Sequence, residues 1–209
     1  MMVCSKCGAW VDPEIDHAAQ SVQCPECNHI DPRRCLPVFI VTGASGTGKT
    51  TVVAELQRRL PFWDVFETDI LWDSGRDWQT VKCNWLRIAH SLAQSERPVI
   101  LCGSMQRDQL DHCESRAFFP AIYYLALHCA SETLTERLRA RPAWRGCDES
   151  FIVEHVRYNR WFLDNAQTAF DPPLALIDTT HRPPAEVADE ITAWATELWE
   201  QALREYRSP

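Results

Sequence analysis

The stretch Gly43-Ala44-Ser45-Gly46-Thr47-Gly48-Lys49-Thr50 follows the apolar run Val38-Phe39-Ile40-Val41 and precedes a helix-forming segment from Thr50 to Leu60. Glycines at these spacings let the backbone curl until several amide hydrogens converge on a phosphate, and the helix start adds the positive end of its dipole. Such a loop needs a buried strand feeding directly into a helix, which points to a parallel sheet covered on both faces. Further apolar strands are expected at 63–67, 99–102, 121–128 and 174–177. Helical periodicity falls around 78–95, 131–140, 149–166 and 185–204. The expected architecture is a three-layer α/β fold around a parallel five-stranded sheet.

Within the loop, Lys49 is placed to reach the β- and γ-phosphates of a nucleotide, and the Thr50 hydroxyl to ligate magnesium. Gly43, Ala44, Ser45, Gly46, Thr47, Gly48 and Thr51 complete the expected nucleotide-binding set, although Thr51 also reads as ordinary helix. Many chains with this loop end a later strand in an acid that helps hold magnesium. Here the strand at 99–102 runs into Cys102-Gly103-Ser104 instead. An acid appears one strand earlier, where Phe66-Glu67-Thr68-Asp69 closes the second strand. Residues two apart in an extended segment face the same way. Open α/β sheets bind ligands at the carboxyl ends of their strands, so Asp69 is placed to accept a proton from an acceptor hydroxyl or to orient hydrated magnesium. A helix N-cap is its bland alternative, and Glu67 is the weaker candidate.

The first 34 residues differ from the rest. They hold Cys4-x-x-Cys7 and Cys24-x-x-Cys27, two knuckles with sixteen residues between them, amid turn formers. That spacing suits a four-thiolate tetrahedral zinc site, and a segment this short needs a metal to hold a fold. Disulfides or free thiols are the alternative. The knuckles, Cys7-Gly8 and Cys24-Pro25 included, resemble the zinc-ribbon family. Pro32 and Pro37 bracket a hinge, so the expected division is a zinc ribbon over 1–34 and a nucleotide-binding domain over 35–209.

A formal charge of −8 argues against broad binding to nucleic acid, whose affinity comes from cationic neutralisation of phosphates. The ribbon could still grip it. No apolar run is long enough to span a bilayer, and the first residues lack the features of a secretory signal, so a cytoplasmic protein without membrane association is expected. Oligomeric state is not legible.

From Val38 onward the chain resembles the small P-loop kinases, the nucleoside-monophosphate-kinase-like group that includes gluconate-, shikimate- and chloramphenicol-phosphotransferase-like enzymes. The matching pieces are GASGTGKT, Asp69-Ile-Leu71 after the second strand, Gly103 after the third, "ETLTERLRARPAW" and "LIDTTHRPPAEVADEI". The resemblance implies a P-loop NTPase fold, ATP and Mg2+ beside the ribbon's Zn2+, and a lid near 139–150. It marks Arg137 and Arg141 as the pair facing nucleotide. The third-strand turn lacks the glycines of shikimate kinases, and Asp69 is not followed by the histidine of gluconate kinases.

Arg137, Arg139, Arg141 and Arg145 concentrate four cations in nine residues, a composition suited to the charge that spreads during phosphoryl transfer. Arg139 is expected on a solvated face. A basic surface paired with Glu132 and Glu136 is the plain alternative. Gly103, Ser104 and Arg107 are candidates for contact with the acceptor, Arg107 for an acidic or phosphorylated one. Trp72, Trp78 and Trp85 either shape an aromatic pocket or serve as core and rim. Cys102 and Cys113 read as small buried apolar residues.

The implied activity is ATP-dependent phosphoryl transfer to a small acceptor, a nucleoside or nucleotide first and a sugar acid or antibiotic-like alcohol next. Two other readings are an ATPase switch whose ribbon recruits a protein or RNA, and a polynucleotide 5′-hydroxyl kinase.

Overall fold

The computed structural model describes residues 1–73 and 75–207. Three short antiparallel pairings build the N-terminal unit. Strand β1 (Met2–Val3) pairs with β2 (Trp10–Val11), while β3 (Glu14–Asp16), β4 (Ser21–Gln23) and β5 (Ile30–Pro32) form a meander. Its apolar centre is small: Val11 with Cys4 and Cys24.

The main sheet follows. Strand β6 (Val38–Thr42) leads into helix α1 (Lys49–Arg59), then β7 (Asp64–Glu67), α2 (Trp78–Ala93), β8 (Val99–Cys102) and the short α3 (Arg107–Asp111). Strand β9 (Ile122–His128), α4 (Ser131–Arg139), α5 (Glu149–Asn165), β10 (Ala175–Asp178) and α6 (Pro184–Arg207) complete it. All five strands are parallel, in the order β10-β9-β6-β8-β7. This is the expected three-layer fold.

Alternation along β6 divides the core. Val38 and Ile40 face Trp85, Leu86 and Phe162, whereas Phe39 and Val41 face Leu56, Val187 and Ile191. Helices start where the sequence offers caps: Asp77 accepts the Thr80 amide at 2.8 Å ahead of α2, and Asp148 accepts the Phe151 amide at 2.8 Å ahead of α5. Pro184 opens α6, where its missing amide hydrogen costs nothing.

The segment joining the two units is clamped at both sides. Gln20 accepts the Cys35 amide and donates to its carbonyl, at 2.8 and 3.1 Å. Gln94, at the end of α2, does the same for Arg34, at 3.1 and 3.0 Å. Two amide side chains thus read one linker residue each as a neighbouring strand would. The joint sits at the N-terminal edge of β6, opposite the phosphate loop.

One cysteine departs from expectation. Cys113 is disulfide-bonded to Cys83, joining α2 to the turn after α3 across 30 residues. Two elements distant in sequence meet there, and no local spacing announces it. Cys102 is buried as expected, and burial pushes its thiol up to about 12. No helix among the described residues is long and apolar enough to cross a membrane.

Candidate functional site

The loop 43–50 bulges from the C-terminal edge of the sheet between β6 and α1. Glycine is forced at the first position of the loop and at one position beside it. A Cβ on Gly43 (φ +138°) would meet the Leu127 carbonyl oxygen at 2.4 Å, and one on Gly103 would meet Thr68 Oγ1 at 1.7 Å. Gly103 therefore lets the buried end of the second strand close against the third. It does not line the cavity that holds Asp69; Ser104 does, and Ser104 Oγ donates to the Gly43 carbonyl at 3.0 Å.

Lys49 Nζ donates to the carbonyls of Gly43 and Ala44 at 2.7 and 2.8 Å. Burial lowers its pKa to about 8, with Asp69 and Glu67 pulling the other way. Thr50 Oγ1 donates to Glu67 Oε1 at 2.5 Å. The acid absent from the third strand is therefore supplied by the second, and Glu67, the weaker candidate on sequence grounds, touches the expected magnesium ligand. Hydroxyl and carboxylate oxygens are hard donors that suit Mg2+.

Two cavities flank the loop. One, of about 250 Å³, is bordered by Gly46, Thr47, Gly48 and Thr51, with Arg137 and Arg182 opposite. Arg137 is held rather than free: its guanidinium donates to the Thr179 hydroxyl at 3.2 Å and carbonyl at 2.7 Å, and to the Gly46 carbonyl at 3.5 Å. Thr179 Oγ1 itself donates to the Thr47 carbonyl at 3.0 Å. The last strand and α4 thus brace the loop.

The second cavity, of about 570 Å³, lies on the other flank and is bordered by Ser45, Asp69, Trp78, Lys82, Ser104 and His155, among others. Burial raises the Asp69 pKa, opposed by Lys49 and, further down, by Arg145 and Arg141. Two of the four clustered arginines therefore share a field with Asp69 and Lys49, and Arg145 also covers the exposed Trp144 ring at 4.7 Å. Arg139 pairs with Glu149 at 2.9 Å on the solvated face, rather than with Glu132 or Glu136.

Of the three candidate tryptophans, Trp78 borders this cavity and Trp72 stacks on it, centroids 5.4 Å apart. Trp85 is core, its indole donating to the Thr68 carbonyl at 2.8 Å. Arg107 opens α3, donates to Asp111 at 3.3 Å and borders a different cavity.

His155 carried no signal in the sequence, because it reaches the loop across 110 residues. Its Nδ1 accepts the Ser45 amide at 3.2 Å. Burial lowers its pKa, assisted by Lys49, so the ring is neutral near pH 7 and its proton sits on Nε2.

At the opposite end of the molecule, the sulfurs of Cys4, Cys7, Cys24 and Cys27 all lie within 4.8 Å of one another, a group able to hold one metal ion. Cys4–Cys27 and Cys7–Cys24 are 3.7 and 3.8 Å apart. A tetrahedron with metal–sulfur bonds of about 2.3 Å has edges of about 3.8 Å. Backbone hydrogen bonds from Cys7 and Lys6 lower the Cys4 pKa to about 6, favouring the thiolate.

No protein-family model matches the chain, and no curated protein does. Solved structures share its fold. A gluconokinase from Sinorhizobium meliloti 1021 aligns over 81% of this chain and 97% of its own, with 22% identity and a TM-score of 0.55. A sugar kinase from Janibacter sp. HTCC2649 aligns over 82% and 99%, with 19% identity and a TM-score of 0.53. The YorR protein of Bacillus subtilis, in complex with phosphorylated GDP, aligns over 78% and 98%, with 18% identity and a TM-score of 0.52. The chain thus has the fold of the small P-loop kinases.

Proposed function

We propose that this chain is an ATP-dependent phosphotransferase that moves the γ-phosphoryl group to a hydroxyl of a small acceptor. One observation carries the reading: Asp69 and Ser45 of the phosphate loop border the same cavity, on the flank opposite the one closed by Arg137 and Thr179. A nucleotide held along the loop presents its terminal phosphate toward Asp69.

The loop amides and Lys49 bind the donor phosphates, and Thr50 with Glu67 holds magnesium, which offsets phosphate charge when bound. Asp69 takes the proton of the acceptor hydroxyl. Its raised pKa brings it nearer the working pH of a general base. The acceptor oxygen bonds to the γ-phosphorus as the bond to the β,γ-bridging oxygen breaks. ADP leaves with that electron pair, and Asp69 returns its proton to solvent. Arg141 and Arg145, on a closing lid, stabilise the migrating group. Residues 1–34 act as a zinc ribbon on Cys4, Cys7, Cys24 and Cys27, joined to a kinase domain over 35–209.

Sequence pattern alone places a nucleoside or nucleotide first as acceptor, and the Trp72–Trp78 stack favours it. Lys82, Gln106, Gln109 and Glu154 stand among apolar Val81, Met105 and Phe151 in the rest of the lining, and these polar groups suit the hydroxyls of a polyhydroxy molecule. The gluconokinase and the sugar kinase among the fold neighbours support the same choice. The test is incubation of zinc-replete protein and magnesium ATP with polyhydroxy acids, sugars, nucleosides, nucleotides and aminoglycosides, followed by mass spectrometry. Gain of one phosphoryl group by an acceptor, matched by ADP, is the expected result. ADP release without a phosphorylated acceptor contradicts the reading.

A further inference from the structure

The phosphate loop is gripped on both flanks, by different chemistry on each. On the flank of the smaller cavity, Arg137 donates to the Gly46 carbonyl and Thr179 to the Thr47 carbonyl, at 3.5 and 3.0 Å. On the other flank the group in need of a partner is an amide hydrogen, that of Ser45. His155 Nδ1 accepts it at 3.2 Å. Gly46, Thr47 and Gly48 border the smaller cavity, whereas Ser45 alone of the loop borders the one holding Asp69. The Ser45 turn therefore divides donor from acceptor.

Helix α5 meets the loop in register. Ile152 and His155 are three residues apart and share a face, where Ile152 joins the apolar cluster around Ala44 and His155 takes the next loop residue. Phe151 and Tyr158 flank the imidazole, with ring centroids 4.1 and 6.4 Å away. A loop amide covered by nucleotide and left without an acceptor is costly, and few side chains can serve it here. Lysine and arginine have no lone pair to offer. A carboxylate does, but it would set a negative charge against the terminal phosphate. A neutral imidazole accepts the hydrogen and brings no charge. Burial keeps the ring in that state, Lys49 and Arg141 assist, and Glu154 on the same helix opposes them. Asp69 and Lys82 stand on the same cavity.

Building on the phosphotransferase reading, we propose that His155 is a positioning residue whose Nδ1 holds the Ser45 turn at the separation from Asp69 that transfer requires. A shift of this turn moves the terminal phosphate relative to the acceptor hydroxyl, while Arg137 and Thr179 still hold the loop on its other flank. Misplacement of reacting groups by about 1 Å costs about 100-fold in rate. The brace works only in the unprotonated ring, because a proton on Nδ1 sets one donor against another. Transfer thus needs two unprotonated groups, Asp69 as base and His155 as brace.

The experiment compares full-length, zinc-replete His155→Phe and His155→Asn with the native chain, using magnesium ATP and the acceptor that gains a phosphoryl group. Phenylalanine keeps the ring volume without an acceptor atom, and asparagine carries an oxygen where Nδ1 stood. His155→Phe should lower kcat by about 10–100-fold with KM for ATP within a few-fold, and His155→Asn should recover most of the loss. Below neutrality, log kcat of the native chain should fall with a limiting slope of two, and that of His155→Asn with a slope of one. Nitrogen-15 NMR of the free native chain reads the brace without catalysis. The neutral ring should carry its proton on Nε2, and the Ser45 amide should titrate with the ring. Native kcat in His155→Phe, no recovery in His155→Asn, equal acid slopes in the native chain and His155→Asn, or a Ser45 amide indifferent to the ring overturns the brace and leaves phosphoryl transfer standing. ADP release with no phosphorylated acceptor overturns the phosphotransferase reading and this role with it, while the NMR titration still reports the contact.

Discussion

The Thr50 hydroxyl donates to the Glu67 carboxylate at 2.5 Å, tying the first turn of α1 to the end of β7. The third strand can therefore end in Cys102 and Gly103 without depriving the site of an acid. Glu67→Gln keeps the shape and removes the charge. It should raise the magnesium concentration for half-maximal transfer by about 10–100-fold, the usual cost of losing a partner of a metal ligand. A magnesium titration of the initial rate reads it.

Lys49 gives a pH signature. Its pKa in the folded chain is lowered to about 8, so near pH 8 the free protein carries only part of a proton there. A bound triphosphate restores full protonation. ATP binding at pH 8 should therefore take up about half a proton, and less at pH 7, where the site is already protonated. Calorimetry in buffers of different ionisation enthalpy measures this, and Lys49→Met should abolish the uptake.

Gly103 is a packing requirement. Gly103→Ala drives a methyl into Thr68 Oγ1, and should destabilise the chain by about 2–3 kcal/mol in denaturant melts. Thr68→Ala removes Oγ1, the atom at 1.7 Å, and leaves only the Cβ at 2.9 Å, so the double variant should be more stable than the sum of the two single effects predicts.

Zinc and catalysis should separate. The ribbon meets the main sheet at the N-terminal edge of β6, while the phosphate loop lies at the other end. Elemental analysis should find about one zinc per chain, lost when Cys7 and Cys24 are both changed to serine. That variant should melt at lower temperature yet keep its KM for ATP within a few-fold in the cold.

Much of the fold was legible because its signals are local. Apolar runs of strand length and the glycines around Lys49 each act over a few residues. The two knuckles were legible for the same reason. Contacts closed by tertiary structure were not. His155 reaches Ser45 across 110 residues, Gln94 reads the Arg34 backbone across 60, and Cys83 finds Cys113 across 30. Arg107 looked like a loop residue facing a ligand until the short helix α3 paired it with Asp111.

The most direct measurement compares Asp69→Asn with the native chain in two assays, ATP binding by calorimetry and phosphoryl transfer by mass spectrometry. Loss of the carboxylate should cut transfer by about 100-fold or more while ATP affinity stays within a few-fold, as expected of a general base that does not hold the donor. Transfer at the native rate in Asp69→Asn would contradict the account.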